Sequence, residues 1–500
     1  MISLKSGTDI RGIASEGVDG EHINLTDDVI KKITVAFVKW LSNYTSKPES
    51  SLVISIGHDS RISAERIKAA AISAMGGIGK TYDAGLASTP AMFMSVIDLD
   101  CDGAVQITAS HHPFNRNGLK FFTKNGGLNE NDIEDILHLA EKIDDVSDKC
   151  GNIEKIDYMS DYAARLRKLI CDGLGKSEAD KPLSGVKIAV DASNGAGGFY
   201  AEKVLHELGA DISGSRYLEP DGMFPNHVPN PEDASAMESI SEAVLKSGAD
   251  FGVIFDTDVD RAACVDSKGM PINRNRLVAL AAAIALEQCP GGTIVTDSTT
   301  SAGLKLFIED TLKGKHHRYR RGCRNVINEA IKLNESGENC PLAIETSGHA
   351  AFKNNYFLDD GAYLITLIIV KMMQLRSEGR SLDDLIEALE EPEEEAVYRF
   401  DIIYSDFRSY GQKVISLLMD FADKNPRCRM AQDNYEGVRV YCSADERDWF
   451  LLRLSVHDPV LSLNIESAHK GGVAKIKKLL KPFFLNFSGL NISSLCYEAE

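Results

Sequence analysis

The chain has 500 residues, of which 43% are hydrophobic, and its 55 basic and 74 acidic side chains give a formal net charge of −19. This length predicts three or four domains at about 150 residues each, and the acidic balance excludes nucleic acid and anionic membrane as expected partners, because both attract a basic face. The ten cysteines form no C-x-x-C pair, the N-terminus carries no apolar signal segment, and the longest apolar run, Leu277–Leu286, is too short to span a bilayer. We therefore expect a cytoplasmic protein with reduced thiols.

Apolar runs that end in polar turns recur along most of the chain, and several precede a segment with helical periodicity. The predicted strands are Leu52–Asp59, Gly103–Ile107, Val186–Asp191, Phe251–Phe255 and Gly292–Asp297. The predicted helices are Ala64–Met75, Tyr158–Leu169 and Tyr200–Leu208. This alternation predicts mixed, largely parallel sheets covered by helices.

The last hundred or so residues show a different pattern. The predicted elements there are consecutive antiparallel strands at Val438–Tyr441, Trp449–Leu454 and Leu461–Ile465, and a helix at Gly472–Leu480. The acidic, proline-containing stretch Glu390–Glu395 predicts a linker before this last domain. The polar stretch Lys176–Pro182 predicts a separation between a first and a second domain.

A serine beside two histidines follows the predicted strand Gly103–Ile107. Ser110 is next to His111 and His112, and an Asn-Gly turn then presents Lys120. A hydroxyl needs a proton acceptor or a cation nearby to act as a nucleophile, and this segment supplies candidates for both. Taken alone, the same residues also fit a capped turn.

Three alternating carboxylates, Asp256, Asp258 and Asp260, end the apolar strand Phe251–Phe255, and Arg261 follows them. Because carboxylates at this spacing repel one another, the pattern indicates a compensating cation, and oxygen ligands favour magnesium or calcium. An EF-hand is excluded, since Arg261 stands where that loop needs glycine and Ser267 where it needs glutamate. The strand context and the arginine favour a magnesium site that faces phosphate.

Several other loops carry polar groups that are weak signals by themselves. Glu345–His349 combines a carboxylate, hydroxyls and an imidazole that can bind sugar hydroxyls. Arg453 and Ser455, in Arg453–Pro459, can hold a phosphate by charge-assisted hydrogen bonds. Arg11 lies in a glycine-flanked basic turn, and Gly57–Arg61 repeats that chemistry after a strand. The proline-rich loop that contains His227 is interpreted as structural.

Together these segments resemble the α-D-phosphohexomutases, which include phosphoglucomutases, phosphomannomutases and phosphoglucosamine mutases. The similarity covers essentially the whole chain in the family's order. The pattern T-A-S-H-N-P…N-G-x-K corresponds to Thr108–Lys120, and D-x-D-x-D-R to Asp256–Arg261. The sugar loop G-E-x-S-G-H corresponds to Ile344–His349, and the phosphate loop R-x-S-x-x-x-P to Arg453–Pro459.

The resemblance implies a fold of four domains around a central cleft, three mixed α/β sandwich domains and a smaller α+β C-terminal domain. The expected domains are 1–170, which bears the phosphoserine and a connecting helix, 171–275, which binds metal, 276–392, which recognises the sugar, and 393–500, which binds phosphate. The resemblance also implies a mutase that interconverts the 1-phosphate and the 6-phosphate of a hexose, either glucose or mannose. A hexose 1,6-bisphosphate is then both the intermediate and the activator. Sugar phosphates are then the partners of a monomer or homodimer.

The resemblance assigns roles to individual residues. Ser110 is the phosphorylated residue, and Mg²⁺ is bound by it together with Asp256, Asp258 and Asp260. Arg261 offsets charge on the transferring phosphoryl group, and His111 is grouped with the catalytic residues. The positions near proton transfer, among which the base stays open, are Lys120, Arg11 and His349. The expected substrate contacts are Glu345, Ser347 and His349 for the sugar, and Arg453 and Ser455 for the phosphate that is not reacting.

Three departures from the family pattern concern the subgroup and its sugar. His112 replaces the usual asparagine, Ile344 replaces the usual glycine, and Val456-His457-Asp458 stands where the family often has Gly-Thr-Glu. Phosphoglucosamine mutase therefore stays an alternative. An aspartyl-phosphate type phosphatase with Asp256 as nucleophile is a second, although Asp260 stands where such enzymes prefer Thr or Val. A non-catalytic sugar-phosphate sensor is a third.

Overall fold

The structure is a computed structural model that describes residues 1–144, 146–455 and 458–496. The strands are β1 (Lys5–Ser6), β2 (Asp9–Ile13), β3 (Val53–His58), β4 (Lys80–Leu86), β5 (Gly103–Ile107), β6 (Arg116–Thr123), β7 (Gly126–Gly127), β8 (Ile153–Lys155), β9 (Ile188–Asp191), β10 (Phe251–Phe255), β11 (Ala262–Val265), β12 (Pro271–Ile272), β13 (Thr293–Asp297), β14 (Lys315–Tyr319), β15 (Leu342–Ile344), β16 (Ala350–Phe352), β17 (Leu358–Asp359), β18 (Glu394–Ile402), β19 (Arg429–Met430), β20 (Val438–Tyr441), β21 (Trp449–Leu454), β22 (Val460–Ser467) and β23 (Leu490–Asn491). The α-helices are α1 (Asp27–Thr45), α2 (Ala64–Ala74), α3 (Thr89–Asp98), α4 (Glu130–Glu141), α5 (Tyr158–Leu174), α6 (Ala234–Ser247), α7 (Arg274–Gln288), α8 (Ala302–Leu306), α9 (Cys323–Glu335), α10 (Gly361–Ser377), α11 (Asp383–Ile386), α12 (Phe407–Asp423), α13 (Gly472–Phe484) and α14 (Ser493–Cys496).

The chain divides into two compact units. The first comprises Met1–Leu277 and Ser347–Leu382, and the second comprises Val278–Thr346 and the described residues from Asp383 onward. The first unit holds an eight-stranded sheet of order β1-β2-β6-β5-β3-β4-β8, with β7 paired to β6, and a four-stranded sheet of order β12-β11-β10-β9.

The sheets of the first unit are mixed, but the expectation that they are largely parallel is wrong. In the large sheet β3 pairs in parallel with β4 and β5, and β4 with β8, whereas β5 with β6, β6 with β2, β2 with β1 and β6 with β7 are antiparallel. In the small sheet β9 and β10 are parallel, and β10-β11 and β11-β12 are antiparallel. One cause is that β5-β6 and β10-β11 are hairpins with the short connections 108–115 and 256–261, whereas a parallel pair needs a crossover of about a dozen residues or more.

The second unit contains a parallel three-strand arrangement, β14-β13-β15, and a C-terminal sheet of order β19-β20-β21-β22-β18-β23. The antiparallel pairing of β20, β21 and β22 confirms the strands that were predicted there. Helices α12 and α13 pack against this sheet through Val414, Leu418, Ile476 and Leu480, which are buried in one apolar cluster with the strands. The architecture of three α/β domains and a further C-terminal sheet domain confirms the predicted fold class.

Five details differ from the sequence-based predictions. The expected Asn-Gly turn before Lys120 is part of β6, and Arg11 lies in β2 rather than in a turn, because β2 and β6 pair with each other in the large sheet. The segment predicted as a helix at Tyr200–Leu208 is π-helical over Tyr200–His206. The acidic linker is shorter than Glu390–Glu395, because β18 begins at Glu394, whose carboxylate accepts hydrogen bonds from the amides of Gly471 and Val473 beside α13. The expected boundaries at 170/171 and 275/276 fall within α5 and α7. In the part of the chain that the structure describes, none of the helices has the length and apolar character needed to cross a membrane.

Candidate active site

Two hairpin connections of the first unit bring the serine and the carboxylates together. The serine loop, residues 108–115, joins β5 to β6, and the acidic loop, residues 256–261, joins β10 to β11. Ser110 Oγ donates a hydrogen bond to Asp256 Oδ2 at 3.0 Å. Both side chains are nearly or fully buried, so the hydroxyl and the carboxylate meet away from bulk water.

The acidic loop has the composition and geometry of a cation site. Carboxylate oxygens of Asp256, Asp258 and Asp260 lie within 4.8 Å of one another. Asp258 Oδ1 and Asp260 Oδ1 are buried and accept no hydrogen bond from the described residues. A buried carboxylate oxygen without a donor is costly unless a cation neutralises it, so these residues fit a hard metal ion such as Mg²⁺.

The backbone of the acidic loop is held in an unusual conformation. Val259 has φ +66°, a left-handed value that a β-branched residue rarely adopts. Such conformations persist only where the surroundings enforce them, and they cluster at functional sites. Here the carbonyl of Val259 accepts a hydrogen bond from the Gly361 amide at 3.0 Å, which anchors the strained residue to the start of α10.

Mutual repulsion and burial set the acidity of the carboxylates. Burial, reinforced by the charges of Asp260 and Asp258, raises the pKa of Asp256 well above its ordinary value. Burial acts in the same direction on Asp260, but the cations Lys120 and Arg261 lower the pKa of Asp260 overall. The acidic loop is therefore electrostatically uneven, with the more readily protonated carboxyl beside Ser110.

Lys120 supplies an ammonium to the same cluster from β6. Its Nζ donates to Asp258 Oδ2 at 2.9 Å and to Asp260 Oδ2 at 2.6 Å. The pKa of Lys120 is raised because these carboxylates outweigh its burial. Glycine at 118 lets β6 approach β2, since a Cβ there would lie 2.2 Å from the carbonyl oxygen of Ile10.

Arg261 closes the other side of the acidic loop. Its Nε lies 3.3 Å from Asp256 Oδ2, and its Nη1 donates to Asn230 Oδ1 at 2.9 Å. Asn230 comes from the proline-rich loop, which the sequence indicated only as structural. Arg261 is almost completely buried, so its charge acts at close range on the carboxylates.

The two histidines beside Ser110 are neutral in this environment. His111 Nδ1 lies 3.3 Å from Ser110 Oγ. Burial, aided by the nearby charge of Arg261, lowers the pKa of His111 to about 2, and burial with Arg11 lowers the pKa of His112 to about 3. The imidazole at 112, which departs from the family pattern, therefore adds no positive charge here.

Arg11 and His349 come from other segments than the acidic loop. Arg11 lies on β2 opposite Gly118 of β6, and its Nη2 donates to Asp9 Oδ2 at 2.8 Å. His349 Nε2 lies 3.6 Å from Asp260 Oδ1, and its Nδ1 is 2.9 Å from Ser347 Oγ. Burial lowers the pKa of His349 to about 3.

The remaining predicted site residues belong to the second unit. Glu345 accepts a hydrogen bond from the Gly322 amide at 2.5 Å. Arg453 Nη1 lies 3.9 Å from Glu436 Oε1, and Ser455 Oγ accepts from the Asp458 amide at 3.2 Å. The departures Val456 and His457 lie outside the described residues.

Four residues that contact the predicted site residues were given no role in the sequence analysis. Thr89, at the start of α3, donates its hydroxyl to Asp258 Oδ2, and Asn230 holds Arg261. Arg321 donates its amide to the Glu436 carboxylate that faces Arg453. Arg61 contacts the serine loop and is described below. The basic segment 320–324, which follows β14, was a signal that could have found Arg321.

Comparison with known proteins decides the family. Models of phosphoglucomutase/phosphomannomutase α/β/α domains I, II and III match residues 4–147, 161–269 and 273–392 in that order. The chain belongs to this family. The resemblance to the α-D-phosphohexomutases is thereby confirmed, and the chain is an enzyme of the isomerase class, an intramolecular phosphotransferase.

Named relatives match over nearly the whole chain. A phosphomannomutase/phosphoglucomutase from Pseudomonas syringae pv. tomato is 27% identical over 472 residues, which cover 94% of this chain and 92% of the relative. A phosphoglucomutase from Neisseria meningitidis is 27% identical over 481 residues, 95% of each chain. The crystal structure of a phosphoglucomutase/phosphomannomutase family protein from Burkholderia thailandensis superimposes with a TM-score of 0.78 at 22% identity, covering 97% of this chain and 98% of that one. The two named relatives support a hexose phosphate mutase activity, and the solved structure supports the fold.

Proposed function

We propose that this chain is a Mg²⁺-dependent phosphohexomutase that interconverts hexose 1-phosphate and hexose 6-phosphate through a phosphoserine at Ser110 and a hexose 1,6-bisphosphate. The observation that carries the proposal is the 3.0 Å hydrogen bond from Ser110 Oγ to Asp256 Oδ2, inside a cluster of three buried aspartates. A serine that carries a phosphoryl group needs a cation beside it, and this cluster fits one.

The proposed reaction exchanges phosphoryl groups between Ser110 and two hydroxyls of the sugar. The free hydroxyl of a bound hexose phosphate attacks the phosphorus on Ser110, the bond from that phosphorus to Ser110 Oγ breaks, and the attacking hydroxyl gives up its proton. The resulting bisphosphate then returns its other phosphate to Ser110, and the proton is restored to the sugar oxygen that is released. Atoms and charge balance over the cycle, since Ser110 ends as it began.

Cationic groups of this chain support that transfer. Arg261 and Lys120 lie against the acidic loop, where they offset the charge that spreads over the phosphoryl oxygens in the transition state. Asp256, Asp258 and Asp260 would hold Mg²⁺, which supplies Lewis-acid neutralisation of the same oxygens when bound. The phosphorylated Ser110 would complete that ligand set.

Substrate contacts are assigned by residue type and family motif. Glu345, Ser347 and His349 would bind the ring hydroxyls of the sugar, because a carboxylate, a hydroxyl and an imidazole accept and donate the hydrogen bonds that hydroxyls make. Arg453 and Ser455 would hold the phosphate that is not reacting.

Glucose and mannose phosphates are the proposed substrates. Relatives that match this chain over 92% to 95% of their own length bear the names phosphoglucomutase and phosphomannomutase. Glucosamine phosphate is the alternative sugar. A cytoplasmic location and a monomeric or homodimeric state remain predictions.

Turnover of a substrate panel tests the proposal. Glucose, mannose and glucosamine 1-phosphates are each incubated with the protein, Mg²⁺ and a trace of the matching 1,6-bisphosphate, and formation of the 6-phosphate is measured. Ser110→Ala should abolish turnover and remove an acid-stable phosphate that intact-mass spectrometry detects on the wild type. Absence of turnover with all three sugars would refute the mutase, and an acyl phosphate on Asp256 would establish the phosphatase instead.

A further inference from the structure

The side chain of Arg61 lies buried beneath the serine loop. Arg61 follows β3, and its side chain has no solvent exposure. Its guanidinium donates hydrogen bonds to four backbone carbonyls of the loop and its exit, at 2.5 Å to His112, 2.7 Å to Pro113 and 2.9 Å to Arg116, and also to Ser110. One rigid group thus fixes four peptide planes around the serine.

A carboxylate links this cation to the amide of the serine. Asp59 Oδ1 accepts from the Arg61 amide at 3.0 Å, and Asp59 Oδ2 lies 3.3 Å from Arg61 Nε. The hydroxyl of Thr108 donates to Asp59 Oδ2 at 2.7 Å and accepts from the Ser110 amide at 2.8 Å. Both the amide and the carbonyl of Ser110 are therefore held by one connected network.

The proline-rich loop covers the network from the other side. The ring of Phe224 lies 5.2 Å from Arg61 Cζ, in the geometry of a cation–π contact. A Cβ at Gly222 would lie 2.4 Å from the amide of Ile62 and 2.5 Å from the carbonyl of Ser60. Because the Arg61 side chain has no solvent exposure, its orientation is fixed by packing as well as by hydrogen bonds.

The network constrains a conformation that Ser110 would not adopt by itself. Ser110 has φ +49°, in the left-handed region that non-glycine residues rarely occupy. Because a trans peptide directs its N–H opposite to its C=O, turning the Ser110 carbonyl toward Arg61 turns the His111 amide away from it. The guanidinium uses its donors on backbone carbonyls and so acts on the serine through the loop.

We propose that Arg61 is a positioning residue that sets the serine loop so that Ser110 Oγ faces the acidic loop, and this rests on the proposed role of Ser110 as phosphoryl carrier. Lysine cannot replace it, because one ammonium cannot bind four carbonyls in a plane. Misplacement of a reacting group by about 1 Å can cost on the order of a hundredfold in rate.

Arg61→Lys tests this inference, with Arg66→Lys as the matched control. Arg66, on α2, also donates to backbone carbonyls, those of Ala14 and Leu25, but not to the serine loop. We expect Arg61→Lys to lower kcat by about ten- to a hundredfold with KM nearly unchanged, and to shift the phosphorus NMR resonance of the phosphoserine. Arg66→Lys should leave kcat, KM and that resonance as in the wild type, whatever it does to thermal stability.

The outcomes separate the inference from the proposed function. Wild-type protein without turnover or phosphoserine overturns the proposed function, whereas an active wild type with an equally active Arg61→Lys overturns the role of Arg61. If Arg61→Lys does not fold, Thr108→Val carries the test, because it removes only the hydroxyl that joins Asp59 to the Ser110 amide. It should show the same loss of kcat and the same shifted resonance, and wild-type values for both would refute the network's role.

Discussion

Replacing Lys120 by methionine should destabilise the first unit strongly. Nζ of Lys120 lies 2.9 Å from Asp258 and 2.6 Å from Asp260, and all three side chains are largely or fully buried. At an effective dielectric constant of about 20, each attraction amounts to about 6 kcal/mol before desolvation is subtracted. Since breaking a buried ion pair typically costs about 3–5 kcal/mol, we expect a loss in that range for Lys120→Met.

Calorimetry with and without Mg²⁺ measures this effect. At about 2 °C per kcal/mol, the unfolding midpoint of the first unit should fall by roughly 6–10 °C in the presence of EDTA. Mg²⁺ should raise the midpoint of Lys120→Met more than that of the wild type, because the ion then neutralises carboxylates that have lost their ammonium.

Lys124→Met is the matched control, since Lys124 follows the same strand and pairs with Asp100. Those two side chains are 55% and 87% exposed, so their pair contributes about 0–1 kcal/mol. Equal midpoints for Lys120→Met and Lys124→Met, or the same Mg²⁺ shift in the wild type and Lys120→Met, would refute this account of the cluster.

Three further substitutions test other parts of the first unit. Burial alone would lower the pKa of His227, but its contact with Asp191 at 3.1 Å raises that pKa overall. The contact therefore stabilises the fold fully below about pH 6.5, and this stabilisation is lost as the pH rises through the raised pKa of His227. Urea unfolding should show His227→Gln destabilised relative to the wild type at pH 6 and close to it at pH 9. A difference that does not depend on pH would contradict this. Tyr162→Phe should cost about 1.5–3 kcal/mol in urea unfolding, because the hydroxyl donates to the buried Asp360 carboxylate at 2.7 Å, and an unchanged midpoint would exclude that contribution. Gly118→Ala should cost about 1–3 kcal/mol, since its Cβ would lie 2.2 Å from the Ile10 carbonyl oxygen of β2 and 2.9 Å from the Thr108 carbonyl oxygen. A thermal midpoint equal to that of the wild type would show that these backbone segments move aside.

The loops that carry the site could be located from the sequence because their chemistry is local. An apolar strand followed by Asp256, Asp258 and Asp260 spans only ten residues, and these residues indicate both the strand and a cation site at its end. Ser110 and Lys120 were found in the same way, since the hairpin of β5 and β6 keeps them close in sequence as well as in space. Such short-range patterns depend on strand ends and turns, which sequence periodicity shows well.

The role of Arg61 could not be assigned from the sequence, although the basic turn Gly57–Arg61 was singled out there. Arg61 is 49 residues from Ser110 along the chain, and it contacts four backbone carbonyls, which leave no side-chain pattern. Thr89 contacts Asp258 across 169 residues, and it belongs to none of the motifs singled out in the sequence. The prediction of largely parallel strands was wrong for a related reason. The periodicity of a strand does not indicate its direction relative to its neighbour, and only the length of the connection between the two strands does.

The anchoring of the segment around His349 also restricts how a mutase of this kind can turn its intermediate. Arg261 and His349 form an isolated antiparallel β-bridge. The Ala262 amide donates a hydrogen bond to the Gly348 carbonyl, and the Gly361 amide donates one to the Val259 carbonyl. These three contacts tie the acidic loop and the start of β11 to Gly348, His349 and the start of α10. A sugar that exchanges its two phosphates at Ser110 would therefore turn against a wall that these backbone contacts hold in place on this side of the serine.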